Sequence, residues 1–331
     1  MISGKLVRAK ARILGVATAA LALSAMALPA MAQSYPSRSI TILVGYSAGG
    51  QADALARIIG KQLGENLKVS VVIENKTGAN GMIAAQAAAR AEPDGHTILM
   101  VTDAMVTIDP HLATSNHFDL STAMEPVVNV AWSPLLLAAA NNVPANSLAE
   151  LVALGGQKTQ NLSFGSSGSS TPHRLAGEML QKYGGFTMTH IPYKGTAASV
   201  NDLLGGQIPL LFGAPTAVEP LAAAGKIKLL GVTSEKRFPL LPDVPAISET
   251  FPQFKIISYI GFMLPKNTPK PVIAILNKEV NQVLATDTMR AWLDKQGIVA
   301  VGGTPDDFRR QIEDDYRARG ELVRSLGITG E

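Results

Sequence analysis

Ile40-Thr41-Ile42-Leu43-Val44-Gly45-Tyr46-Ser47-Ala48-Gly49-Gly50-Gln51-Ala52-Asp53 begins as an apolar run, passes through a turn with little side-chain bulk, and enters a helical pattern. Leu55, Ile58, Ile59 and Leu63 then recur at helical spacing before Gly64. Val69 to Ile73 supplies a second strand, Thr77-Gly78-Ala79-Asn80-Gly81 a turn, and Met82 to Ala91 an alanine-rich helix. Pro93-Asp94-Gly95 stops that helix, and Thr97 to Thr102 is a third strand. The order βαβαβ predicts an open parallel sheet.

The same unit recurs further on. Asn161 to Phe164 reads as a strand, Gly165-Ser166-Ser167-Gly168-Ser169-Ser170-Thr171 as a turn, and a helix comes next with Pro172 at its first position and Leu175, Met179 and Leu180 on one face. His190 to Tyr193, Ser199 to Leu204, Ile208 to Phe212, Ala217 to Ala224 and Ile227 to Thr233 continue the alternation. Before it, Val127 to Ala131 and Leu135 to Ala139 are strand-like with no long helix between them, as in a chain crossing between lobes. Ser147 to Leu154 is a helix with Ser147 and Glu150 at capping-box spacing. Leu241-Pro242-Asp243-Val244-Pro245 is loop, and Ile256 to Leu264 is the returning strand. Helices over Pro271 to Ala285, Thr288 to Gln296 and one opened by Thr304 with Asp307 at N3 complete the chain.

The expected fold class is α/β, two-lobed, each lobe a mainly parallel sheet with helices on both faces, joined by two crossover strands as a hinge. Residues 33–134 and 256–331 form one lobe and 135–255 the other. Ligand is expected between the lobes at strand C-terminal edges.

Lys5, Arg8, Lys10 and Arg12 precede an apolar segment, Ile13 to Ala27, that closes on Ala30-Met31-Ala32. This is the order of a secretory signal peptide cut near Ala32, with an uncleaved anchor as the weaker alternative. The chain carries 29 lysines and arginines against 26 acids; removing those four basic residues leaves 25 against 26. The mature protein therefore has no basic excess to suggest nucleic acid or an anionic membrane. There is no cysteine, hence no disulfide, thiolate metal site, cysteine nucleophile or lipid attachment. The histidines His96, His111, His117, His173 and His190 show no metal-ligand spacing, and no nucleotide fingerprint occurs, so neither metal nor cofactor is expected.

Backbone N–H groups near Ala48 to Gln51 sit at the positive end of a helix and suit a carboxylate; an ordinary tight βα connection reads the same way. Asp53 lies where a carboxylate caps free N–H groups. The hydroxyls of Ser166, Ser167, Ser169, Ser170 and Thr171 add donors, unless the second turn is only a flexible loop. His173 either faces the cleft or is structural. A serine of this turn with His173 as base would make a hydrolase, but Gly165-Ser166-Ser167-Gly168-Ser169 lacks the final glycine of a nucleophile elbow. A ligand-sensing partner of a membrane kinase is a third possibility.

Several segments come in a familiar order: Tyr35-Pro36-x-Arg38, Ala48-Gly49-Gly50-x-x-Asp53, Glu74-Asn75-Lys76-x-Gly78-Ala79-Asn80-Gly81 and Pro93-Asp94-Gly95. After them come Gly165-Ser166-Ser167-Gly168, Ile191-Pro192-Tyr193-Lys194-Gly195, Asp202-Leu203-Leu204-Gly205-Gly206-Gln207, Leu241-Pro242-Asp243-Val244-Pro245 and Gly302-Gly303-Thr304-Pro305. The whole mature chain resembles a Bug-type receptor, the periplasmic substrate-binding component of tripartite tricarboxylate transporters. The resemblance implies a monomeric, non-enzymatic Venus-flytrap protein of the periplasm that closes on a small carboxylate and delivers it to membrane permease subunits. It implies ligand contact from the turn Tyr46, Ser47, Ala48, Gly49, Gly50 and from Ser166, Ser167, Ser169 and Ser170, with Asp53 supporting the first turn. Thr102 and Asp103 after the third strand, and Gly213 and Ala214 after Phe212, would face the same cleft. Gly45 replaces a common proline, which would loosen the first turn, and Gly213 replaces a common aspartate.

Overall fold

The computed structural model describes residues 35–112, 118–157, 162–193 and 195–328; the expected signal segment, His117 and Lys194 lie outside them. Strand β1 (Ile40–Val44) is buried at every position but Thr41, as a central parallel strand must be. It runs parallel to β2 (Val71–Asn75) and β3 (Thr97–Thr102) on either side. Helices α1 (Gln51–Leu67) and α2 (Met82–Ala89) make the two crossovers. Leu55, Ala56, Ile59 and Leu63 are the buried apolar face of α1. That helix runs past Gly64, expected as its end, and closes on Lys68 in the left-handed region at φ 57°. Gly64 has a packing reason instead: a Cβ there would stand 2.9 Å from the Val69 carbonyl oxygen.

After β3 the chain does something the sequence pattern did not predict. Ala104–Ile108 form a π-helical turn, followed by the short helices α3 (Asp109–Leu112) and α4 (Leu120–Ala123). All five residues of the π turn are buried, so no polar face exists to mark a helical period. β4 (Met124–Pro134), β10 (Ile257–Pro265) and a short edge strand β11 (Val299–Gly302) complete a first sheet in the order β11-β4-β10-β3-β1-β2.

The second sheet has the order β7-β6-β8-β5-β9, from β5 (Leu136–Ala140), β6 (Ser163–Ser166), β7 (Thr189–Pro192), β8 (Leu210–Gly213) and β9 (Ile227–Val232). Helices α5 (Leu148–Gly155), α6 (Pro172–Gly184), α7 (Thr196–Leu204) and α8 (Pro215–Ala223) belong to this lobe. Ser147 caps α5 by accepting the Glu150 N–H at 3.2 Å, while the Glu150 carboxylate reaches one residue further back, to the Asn146 N–H.

Two lobes with helices on both faces are as expected, but both sheets are mixed rather than mainly parallel. β6 is parallel to β7 and β8, yet β5 is antiparallel to β8 and β9, and β10 is antiparallel to β3 and β4. Parallel pairing survives where a helix makes the crossover; strands that carry the chain out of a lobe and back run in opposite senses.

β4 and β5 are nearly one extended run that changes sheet at Leu135. Its N–H donates to Thr233 Oγ1 at 2.8 Å, and the Thr233 N–H returns to the Leu135 carbonyl at 3.0 Å. Ile256, on the second crossing, donates to the Thr233 carbonyl at 3.0 Å. Helices α9 (Lys270–Leu284) and α10 (Asp287–Lys295) then lead to β11 and to the C-terminal α11 (Pro305–Leu326). Thr304 and Asp307 cap α11 reciprocally, as their spacing predicts. Phe308 and Ile312 join the core of the first sheet, whereas Val323 and Ile328 join the cluster built mainly by the second.

Where β1 ends, Gly45 lies against Gly81 so closely that a Cβ at 45 would be 2.4 Å from the Gly81 Cα. The position is packed rather than loosened, which corrects the expectation for Gly45. Gly49, at φ 84°, has open space around it. Gly45→Ala is therefore expected to cost about 1–3 kcal/mol by overpacking, and Gly49→Ala about 1 kcal/mol by backbone strain alone. Urea denaturation of both variants checks the order; an undisturbed Gly45→Ala would contradict it.

Candidate functional site

The first turn leaves β1 and delivers the chain to α1, whose N-cap is Gly50, extended at φ −76° and ψ 171°, with no side-chain cap. Gly50 donates to the Ser47 carbonyl at 3.3 Å, and Gly49 donates to Asp53 Oδ2 at 2.9 Å. The first helical bond runs from the Ala54 N–H to the Gly50 carbonyl, so Gln51 and Ala52 precede it and have the orphan donors of a helix start. Ser47, Ala48, Gly49 and Gly50 are exposed. Of the N–H groups expected to meet a ligand, those of Gly49 and Gly50 are thus already engaged.

Asp53 is only 2 % exposed and holds the turn together. Besides Gly49 it accepts from Arg57 Nε at 2.9 Å and Asn75 Nδ2 at 3.0 Å, and the same Asn75 amide donates to the Tyr46 carbonyl at 3.0 Å. The Arg57 hydrogen bond, aided by Gly49 and Asn75, outweighs desolvation and holds the Asp53 carboxyl down at about 2. Tyr46 Oη lies 2.9 Å from Thr102 Oγ1 at the end of β3, and burial pushes its hydroxyl up to about 12.

The second turn occupies the equivalent place after β6. Ser166 is fully buried; its Oγ donates to the Gly168 carbonyl at 3.0 Å and pairs with His190 Nε2 at 2.7 Å. Thr171 caps α6, accepting from the Arg174 N–H and donating to the Gly168 carbonyl at 2.7 Å. Arg174 Nη1 donates to the Ser169 carbonyl at 3.2 Å. Ser167, Ser169 and Ser170 are half-buried. Ser167 Oγ is 3.0 Å from His173 Nδ1, while His173 Nε2 is buried without a partner and burial lowers the ring to about 4, so it is neutral at pH 7.

The other two segments differ in where they point. Asp103 turns toward β10, accepting from Ser258 Oγ at 2.9 Å and the Tyr259 N–H at 3.4 Å. Burial raises its carboxyl to about 6, opposed by the nearby Arg319. Gly213 is buried at the end of β8, where a Cβ would come within 2.7 Å of Val218 Cγ1, so an aspartate there would need that side chain to move. Ala214 is the N-cap of α8, followed by Pro215, again without a side-chain cap. Pro215 and Thr216 from this lobe and Gln296 and Gly297 from the other line a groove of about 620 Å³, and Gln51 Nε2 reaches the Gln296 carbonyl at 3.3 Å.

Sequence spacing does not single out four further contributors, Asn75, Asn80, Asp109 and His190. Asn75 and Asn80 stand in the Glu74 to Gly81 motif, where local pattern assigns neither a role. Asn80 Nδ2 donates to Asp109 Oδ2 at 2.9 Å and lies 3.5 Å from the Ser170 carbonyl, joining the first lobe to the second turn. Burial raises the Asp109 carboxyl to about 6, opposed by the hydrogen bond from Asn80. His190 supports Ser166 from β7. Among the described residues, no group of three or more His, Asp or Glu side chains is placed to hold a metal ion, and no helix is long and apolar enough to cross a membrane.

The sequence matches the tripartite tricarboxylate transporter family receptor over residues 55–328. This chain belongs to that family. Its fold is that of solved periplasmic binding proteins. A protein from R. palustris, Rpa4515, solved with adipate, is 31% identical, with a TM-score of 0.81 over 90% of this chain and 100% of that one. The periplasmic binding protein BugD is 32% identical, TM-score 0.77, over 90% and 100%. MatC from Rhodopseudomonas palustris, with bound malate, is 26% identical, TM-score 0.76, over 87% and 100%. The chain is a Bug-type receptor, and receptors of this kind bind solutes rather than transform them.

The receptor's two buried carboxylates leave opposite marks on its acid stability. Asp53, lowered from 3.8 to about 2, stabilises the fold above pH 3.8, and that contribution is lost as pH falls toward 2. Asp103, raised to about 6, keeps its proton in the folded state through a window in which the unfolded chain has released it, so its contribution falls as pH rises from about 4 to 6. Calorimetric melts of Asp103→Asn are expected to flatten the pH dependence in that window. Asp53→Asn is expected to lose about 1–2 kcal/mol at pH 7 and progressively less toward pH 3. A parental slope in Asp103→Asn would contradict the assignment.

Proposed function

We propose that this protein is an extracytoplasmic solute receptor that binds a small organic acid, a di- or tricarboxylate or an aromatic carboxylate, between its lobes. It delivers that acid to the permease of a tripartite tricarboxylate transporter, acting as a periplasmic monomer after removal of the signal segment near Ala32. The observation that carries this reading is the pair of donor-rich turns at strand C-terminal ends on facing lobes. One offers the uncapped start of the 17-residue α1, the other Ser167, Ser169 and Ser170 before α6. The arginines nearest the turns are engaged: Arg57 with Asp53, and Arg174 with the Ser169 carbonyl and, at 3.8 Å, Glu178. A bound carboxylate therefore draws chiefly on neutral donors, each worth about 1.5–3 kcal/mol to a charged group. The relatives solved with adipate and malate support the same ligand class.

Ser167 and His173 at 3.0 Å favour a second reading, a serine hydrolase. It is the weaker one, because no carboxylate meets His173 Nε2 to orient the ring and a base lowered to about 4 accepts a proton poorly. Stoichiometric labelling by a serine-directed phosphonate would speak for it.

A thermal-shift and calorimetric screen of malate, adipate, citrate and benzoate, with sugars and amines as controls, tests the receptor reading. An acid present at 100 times its Kd is expected to stabilise by about 2.7 kcal/mol. Stabilisation by sugars or amines with every acid silent would sink it. Gly50→Val, which adds methyl groups beside the donors of α1, is expected to weaken the stabilising acid at least about tenfold, about 1.4 kcal/mol, with little change in the unfolding midpoint. Equal losses of affinity and stability would make Gly50 merely structural.

A further inference from the structure

Ser166 is fully buried at the end of β6, and its one hydroxyl stands among three partners. The Gly168 carbonyl lies 3.0 Å away, the Gly168 N–H donates to Ser166 Oγ at 3.3 Å, and His190 Nε2 is at 2.7 Å. A carbonyl only accepts and a backbone N–H only donates, so the single hydroxyl proton sets the arrangement. Turned to the Gly168 carbonyl, it leaves oxygen lone pairs for the Gly168 N–H and for an imidazole that carries its proton on Nε2. Turned to His190, it leaves that carbonyl to Thr171 Oγ1, 2.7 Å away.

Strand pairing holds the imidazole at this oxygen. β6 and β7 run parallel with Phe164 beside His190, so the side chains of Phe164, Ser166 and His190 share one face of the sheet. Phe164 is fully buried, and its ring lies 5.1 Å from the imidazole. The Tyr193 N–H donates to the Ser166 carbonyl at 3.0 Å and carries the pairing to the start of the turn. Gly168, at φ 146°, has a conformation that side chains rarely adopt, and the bonds on its carbonyl set how the next peptide is turned.

We propose that His190 is a positioning residue of the second turn, donating from Nε2 to Ser166 Oγ and so directing the Ser166 proton onto the Gly168 carbonyl. That carbonyl then accepts from two hydroxyls, Ser166 and Thr171, which hold it inside the turn. A trans peptide points its N–H away from its C=O, so the Ser169 N–H is turned outward. Arg174 Nη1, on the Ser169 carbonyl at 3.2 Å, turns the Ser170 N–H outward in the same manner. Ser166 has no proton left for a ligand; it orients the turn and does not bind. The proposal rests on the receptor reading for its purpose, but not for its first test.

Nitrogen-15 NMR of the mature protein without ligand, at a pH where the ring is neutral, reads the tautomer directly. His190 is expected to carry its proton on Nε2; a neutral ring protonated only at Nδ1 would overturn the proposal. His190→Phe keeps a ring beside Phe164 without a donor, and His190→Gln keeps an N–H donor at about the reach of Nε2. The Ser169 amide signal is expected to move in His190→Phe and to return in His190→Gln. With adipate and malate as probes, His190→Phe is expected to raise Kd about fivefold, one net hydrogen bond, and His190→Gln to restore it to within about twofold. Equal losses in both variants, or a Ser169 amide that neither moves, would overturn the proposal. If neither acid binds the parent chain, the receptor reading fails for those acids, while the tautomer and the Ser169 amide still decide the role of His190. The tautomer is read on the unaltered chain, so the test stands if His190→Phe folds poorly.

Discussion

The hydrogen bonds around Thr233 are the constraint on which the rest depends. The residue is fully buried, accepts the Leu135 N–H on its hydroxyl, donates its own N–H back, and takes the Ile256 N–H on its carbonyl. It thereby ties together the two places where the chain changes sheet. Each sheet has an apolar core, and Ala104, Ile108 and Leu112 of the first lobe pack into the cluster of the second. The edge-on contact of Trp132 with Phe238 packs beside it, and α11 adds a third link by burying its two ends with different sheets. On the same side of the molecule the turn after β6 comes near the first lobe, where Asn80 Nδ2 lies 3.5 Å from the Ser170 carbonyl.

The groups that meet there are mostly backbone and small polar side chains, and much of that polarity is spent internally. Asp53 takes the Gly49 N–H, and Ser166 satisfies Gly168 and His190. These bonds do not compete with a ligand; they hold in place the donors that are left. A carboxylate captured by orphan N–H groups and hydroxyls, with the nearby arginines already paired, needs no charge on the receptor to be neutralised. That suits a protein whose task is to hold an acid and then release it. On the proposed reading, a ligand touching both turns binds a closed arrangement of the lobes better than an open one.

Much of this was legible in the chain because it was written in local chemistry. Apolar runs ending in glycine-rich turns marked β1 and β6, and Ser147, Pro172, and Thr304 with Asp307 marked helix starts through side chains that act within four residues. The mixed character of the sheets was not legible, because strand direction at β5 and β10 depends on which lobe the chain has just left. The short β11 pairs with β4 at the sheet edge, where too little is buried to leave an alternating pattern. The π turn at Ala104–Ile108 is buried on all sides and so has no period to read. Asp109, Asn80 and His190 matter through partners 29, 90 and 24 positions away, and no spacing rule reaches that far.

The central claim is that one carboxylate ligand is gripped from both sides by the two turns. A crystal structure of the mature protein with a stabilising acid from the screen tests it most directly. Carboxylate oxygens are expected within hydrogen-bond distance of the Gln51 and Ala52 N–H groups on one lobe and of donors between Ser167 and Ser170 on the other. An acid seated elsewhere, for instance in the groove of about 410 Å³ beside β11 where Arg290 is available, with both turns untouched, would contradict it.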